Sequence, residues 1–147
     1  MRLAYPPLLR TPRITVGIHS NGQDVFYPML VDTGADYTCF PASYAATIGH
    51  NNLDARVETT ASAGVGGLTR AFHHTLSVSL LDPAPTGEEG LAERGAPPSV
   101  WTSRQHSFRF LESFDTNFGL LGRDLMAEWK LVTFLATRKR WAIVIEI

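Results

Sequence analysis

Asp32, Thr33 and Gly34 follow directly on the apolar run Met29-Leu30-Val31, and Ala35-Asp36-Tyr37-Thr38-Cys39-Phe40 follows them. An apolar run of this kind reads as a buried strand. At its end Asp32 is a carboxylate that water and a substrate can still reach. Gly34 lets the chain turn sharply and lets another backbone come close. A carboxylate held beside such a turn is suited to general-base work. Alone, the triplet has an equally plain reading, a polar turn that ends a strand.

Other reactive side chains offer less. Cys39 is the single cysteine. No partner base stands near it in sequence, so it reads as a small core residue, and one cysteine cannot form an internal disulfide. His73 and His74 suggest a metal, but neighbours on a strand point to opposite faces and cannot easily share one ion. Ala63-Gly64-Val65-Gly66-Gly67 is Gly-rich, yet no helix start or Lys follows to make it a phosphate cradle. Neither a metal nor a cofactor is expected. Formal net charge is −1, which gives no electrostatic case for nucleic acid or an anionic membrane. Arg138-Lys139-Arg140 reads as a solvated turn between two apolar segments.

With its apolar lead and with Ala35-Asp36 after it, Asp32-Thr33-Gly34 resembles the active-site signature of retroviral-type (retropepsin-like) aspartic proteases. Downstream, Phe118-Gly119-Leu120-Leu121-Gly122-Arg123-Asp124-Leu125-Met126 resembles that family's second element: two apolar residues, Gly, Arg, Asn or Asp, then an apolar helix. Two elements in the right order are far more specific than either one. The resemblance covers residues 13–135 in outline and a dozen or so positions in detail.

It implies a mostly β fold, a closed antiparallel β-barrel of the retropepsin type with one or two short helices. It implies an aspartic endopeptidase whose site needs two chains, because this chain carries one Asp-Thr-Gly and one Leu-Leu-Gly-Arg. The partners implied are a second copy of the chain, in a homodimer, and a peptide or protein substrate. Asp32 would be the catalytic residue. Thr33 would lie under it and brace the partner chain, and Gly34 would meet the substrate backbone. Ala35 and Asp36 would line the substrate site. Ala63, Gly64, Val65, Gly66 and Gly67 would form the tip of a flap closing over bound peptide. Asp36 and Arg123 would pair, as a buried pair that supports the dimer. Asp115-Thr116-Asn117 looks like a degenerate second triplet, but a two-lobed enzyme would also need a second apolar-apolar-Gly element, so it reads as a turn. Two rivals remain: a catalytically silent protease-like dimer that binds peptides, and an adaptor acting through residues 82–106.

The elements must then position these residues. At 147 residues and 44% hydrophobic composition, one domain over 1–147 is expected. Residues 1–12 are Pro-rich and read as extended or frayed. Ile14, Val16 and Ile18 alternate with Thr15, Gly17 and His19 as a first strand, and Asn21-Gly22 signals a hairpin. The return strand, Val25 to Val31, delivers Asp32. Pro28 places part of it near an edge or bulge. A short helix over 41–48 is expected to end at Gly49, followed by a modest strand over Val57 to Ala61. Leu76, Val78 and Leu80 alternate in a further strand. Residues 82–106, rich in Gly, Pro and acidic side chains, read as a long loop or flexible insertion, and this departs from the compact retroviral pattern. Ser107 to Leu111 resumes a strand, and Arg123 to Trp129 should be a short helix. Leu131 to Leu135 and Trp141 to Ile147 form a closing hairpin beyond the point where viral enzymes end. Ile14 to Ile18 and Ile143 to Ile147 are the natural strands for an intersubunit sheet. With no ~18-residue apolar run and no secretory h-region, the expected location is cytoplasmic.

Overall fold

The structure, a computed structural model, describes residues 1–5, 11–64, 67–83, 97–137 and 140–147. Its strands are β1 (Arg2–Tyr5), β2 (Arg13–Ser20), β3 (Gln23–Val31), β4 (Cys39–Pro41), β5 (Thr59–Gly64), β6 (Gly67–Leu81), β7 (Ser99–Thr102), β8 (His106–Leu111), β9 (Gly119–Leu121), β10 (Leu131–Thr137) and β11 (Arg140–Glu146). A short 3₁₀ helix, Ala42–Ile48, follows β4, and α1 spans Arg123–Met126.

Six strands pair in the order β2-β3-β9-β4-β8-β6, and a β2–β6 pairing closes the ring into a barrel. Most pairs are antiparallel; β3–β9 and β4–β8 are parallel. Inside, alternate residues of each strand meet: Ile14, Val16, Ile18, Phe40, Leu76, Val78, Leu80, Phe108 and Phe110 are buried. Phe40 stacks on Phe110 with centroids 5.1 Å apart and meets the edge of Phe108 at 6.0 Å. Each such ring withdraws enough apolar surface to contribute about 2–3 kcal/mol.

Local signals hold where they dictate geometry. Asn21 and Gly22 take φ 50° and 74°, and Ser20 pairs with Gln23 across a two-residue turn. Both central residues of that turn need positive φ, which Asn and Gly supply at least cost. Pro28 lies just beyond the stretch of β3 that β9 pairs.

One expectation is narrowed and two are corrected. Of the two readings of the N-terminus, extended or frayed, its first residues take the extended one: β1 pairs with β11, setting Leu3 against Ile145 and Tyr5 against Ile143. Both side chains are buried, and the Tyr5 hydroxyl donates to the Leu81 carbonyl. The edge of β11 left free by β10 needs a partner for its backbone groups, and β1 supplies it; residues 6–10 lie outside the described residues. Within 82–106, Ser99–Thr102 is no loop but pairs with β6, and Trp101 packs edge-on against Trp129 at 5.7 Å. Residues 84–96 of that stretch lie outside the described residues. Finally, Ile14 to Ile18 cannot serve an intersubunit sheet. That strand is flanked by β3 and, over Val16–His19, by β6. Ile143 to Glu146 is also taken, as the middle strand of a separate sheet β1-β11-β10. No helix among the described residues is long and apolar enough to cross a membrane.

The paired histidines take different partners. His73 bonds the Thr60 hydroxyl, whereas His74 is buried against Phe110 and bonds Asn52. Burial first, then the nearby His50 and His73, push the His74 imidazole down to about 4. The unfolded chain takes up that proton near 6.5, so it binds more protons than the folded chain between these values. The contribution of neutral His74 to stability is therefore complete above 6.5 and is lost as pH falls toward 4. We expect Tm to decline across that window, with a shallower slope in His74→Gln; parallel slopes would remove His74 as the cause.

Candidate active site

β9 is inserted between β3 and β4, the two strands joined by the Asp32 loop. Met29, Leu30 and Val31 run beside Gly119, Leu120 and Leu121, and Cys39 of β4 meets Leu120 from the other side. The loop from Asp32 to Thr38 must therefore arch over the end of β9. The first motif is thus clamped by the second.

Backbone bonds make the clamp. Asp32 N donates to Leu121 O at 3.1 Å, Arg123 N to Ala35 O at 2.9 Å and Asp124 N to Asp36 O at 3.2 Å. Side chains lock it further. One carboxylate oxygen of Asp124 accepts from the Thr38 amide at 2.8 Å and the Thr38 hydroxyl at 2.7 Å. The same hydroxyl accepts from Gly122 N at 3.0 Å. Thr38 is 1% exposed, so the Gly122 amide would be left unpaired and dry without it; that desolvation alone costs about 1–3 kcal/mol.

Gly122 is required for close approach. An added Cβ would stand 2.4 Å from the Tyr37 carbonyl carbon and 2.8 Å from Thr38 N. Both are backbone atoms of the loop that carries the acid.

Asp32 itself is half-buried at the end of β3. Its Oδ1 accepts from the Gly34 amide at 2.8 Å, and its carbonyl accepts from Ala35 N at 3.2 Å. The carboxylate is thereby fixed against its own loop through Oδ1. Thr33 and Gly34 are exposed beside it, and Ala35 is half-buried. Asp36 and Arg123 do pair, but both side chains are more than half exposed, at 65% and 61%. The loop places both groups on the outside of the single chain, where the pair contributes about 0–1 kcal/mol; the burial expected of it is burial against a second copy. Asp115 lies exposed in the bend before β9.

β5 and β6 form the hairpin expected for a flap. Its last described pairs are Ala63 with Leu68 and Gly64 with Gly67. Val65 and Gly66, named for its tip, lie outside the described residues. Cys39 is buried, and burial pushes its thiol up to about 12, so it offers no thiolate for nucleophilic attack. Among the described residues no group of three or more His, Cys, Asp or Glu side chains is placed to hold a metal ion.

Two solved structures share this arrangement of chain. One is the EIAV protease complexed with the inhibitor HBY-793, with a TM-score of 0.51 and 22% identity over 84% of this chain and 91% of that one. The other is a retropepsin-like aspartic protease from Rickettsia conorii, with a TM-score of 0.59 and 15% identity over 98% of this chain and 91% of that one. This chain has the retropepsin fold. No family model and no curated protein matches its sequence.

Within the retropepsin fold, Asp32 and the Leu121–Arg123 element come together as their motifs imply. Thr38 and Asp124 are the residues that sequence reading passed over. A Thr directly before the buried Cys39-Phe40-Pro41 was the available signal, since a polar residue entering a core strand needs an internal partner.

Proposed function

We propose that the chain is an aspartic endopeptidase that works as a homodimer. The observation that carries this is the clamped Asp32 loop: a half-buried carboxylate bonded by Gly34 N, on a loop whose backbone the second motif holds, in a retropepsin fold. Peptide hydrolysis by this route needs one carboxylate to take a proton from water and a second acid to protonate the carbonyl oxygen. Two close carboxylates cannot both ionise cheaply and share one proton, a rule for which aspartic proteases are the standard example. Oδ1 of Asp32 is engaged by Gly34, which leaves Oδ2 for water or for the partner acid. The second acid is Asp32 of another copy, related by two-fold symmetry. Thr33, exposed beside it, would brace that copy, and Asp36 with Arg123 would support the contact. Gly34, Ala35 and Asp36 would line the peptide, and the 63–67 hairpin would close over it.

The surface for the second copy is the β10–β11 hairpin. Leu131, Leu135 and Trp141 are 49%, 48% and 38% exposed there, and among the described residues no strand pairs with the outer edge of β10. Exposed apolar edge strands invite pairing. Digesting a peptide library with and without a transition-state inhibitor of aspartic proteases tests the reading. Inhibitor-sensitive cleavage, strongest on the acidic side of neutrality, is expected. Peptide binding without cleavage would instead identify a silent binding module.

A further inference from the structure

Directly paired residues on neighbouring strands point to the same face of a sheet. One such row runs from Leu30 on β3 through Leu120 on β9, Cys39 on β4 and Arg109 on β8 to His73 on β6. Asp32 follows β3 directly, two residues beyond Leu30. Arg109 therefore lies on the face that Leu30 presents just before the acid. It is flanked in its own strand by Phe108 and Phe110, which fill the opposite face in the barrel core.

The guanidinium of Arg109 spans the space between the Asp32 loop and the flap hairpin. Its Cζ lies 3.6 Å from the centroid of the Tyr37 ring, and Nη1 donates to the Ser62 hydroxyl of β5 at 3.4 Å. Both contacts are to neutral groups. Arg56, Arg70 and Arg123 each pair with a carboxylate, whereas Arg109 reaches none among the described residues. A half-buried guanidinium holds five fixed donors suited to bidentate carboxylate recognition. The Tyr37 face stiffens it without neutralising it.

We propose that Arg109 forms an anion subsite beside Asp32, so that the protein selects peptides carrying a Glu or Asp side chain close to the bond it cuts. The inference rests on the peptidase reading above and adds the substrate class. A two-fold dimer presents Arg109 twice, so the acidic preference falls at two positions related symmetrically about the cleaved bond.

The test uses fluorescein-labelled peptides in which a single Glu, or Gln at the same place, is walked through the sequence. Binding is measured by anisotropy to the Asp32→Asn chain, which cannot turn the peptide over. At the favoured positions Glu should bind about tenfold more tightly than Gln, as expected for a charge-assisted bidentate contact. High salt should weaken that preference. Adding Arg109→Gln should erase it, Arg109→Glu should reverse it so that Gln binds better than Glu, and Arg109→Lys should keep part of it. Equal binding of Glu and Gln everywhere, a preference that survives Arg109→Gln, or no peptide binding at all would overturn the subsite. Digestion of the same peptides by the wild-type chain reads the peptidase separately. Discrimination without cleavage removes the peptidase and keeps the subsite, and cleavage without discrimination does the reverse.

Discussion

Asp32→Asn abolishes peptide hydrolysis and leaves the barrel standing. An amide cannot take a proton from water, and losing a positioned general base costs on the order of 10²–10⁴-fold in rate. The fold has little reason to notice. The bond from Gly34 N runs to Oδ1, which an Asn side chain can still present. The backbone bonds of residue 32 to Leu121 and Ala35 do not involve the side chain at all. Tm should therefore stay within a few degrees of wild type while cleavage disappears. A folded Asn variant with full activity would take Asp32 out of the mechanism.

Gly122→Ala fails in the opposite way, through the scaffold. The added methyl meets the Tyr37 carbonyl carbon at 2.4 Å, its oxygen at 2.6 Å and Thr38 N at 2.8 Å. No side chain can swing aside, because all three are main-chain atoms. The loop must lift, and lifting it pulls Thr38 from Asp124 and from Gly122 N. Overpacking of this kind costs about 1–3 kcal/mol, and with the broken bonds Tm should fall by roughly 5–10 °C. Activity should fall further than stability, since a ~1 Å displacement of a reacting group costs about 10²-fold. Thermal melts and peptidase assays on the same preparation check both. Wild-type stability together with wild-type turnover would show that the loop can yield without consequence.

How much of this was legible depends on whether a feature is local. Asp32-Thr33-Gly34 and Leu120-Leu121-Gly122-Arg123 are contiguous, and each motif shapes the few bonds around it. The Asn21-Gly22 turn is local in the same sense. Partnership between distant strands is another matter, because alternation reveals which face a residue occupies and says nothing about its neighbour. Ile14, Val16 and Ile18 alternate as a strand should, yet that strand is enclosed by β3 and β6 and is not free for a second chain. β1 pairs with β11 from the other end of the sequence, a contact no window of residues could reveal. Asp36 and Arg123 carried the right charges, but their exposure is fixed by where the loop turns. The alternation of Phe108-Arg109-Phe110 marks a strand and nothing more; the contacts of Arg109 with Tyr37 and Ser62 come from strands and loops distant in sequence.

The reading as a whole requires that one chain is half a catalyst. Wild-type chain mixed with increasing Asp32→Asn chain tests this directly. If two copies each donate Asp32, activity per wild-type chain falls as mixed dimers form, and wild-type specific activity also falls on dilution through the dimer dissociation constant. Activity per wild-type chain that is unchanged by the Asn chain, from protein that sediments as a monomer, would contradict the composite site and return attention to Asp115 as the second acid.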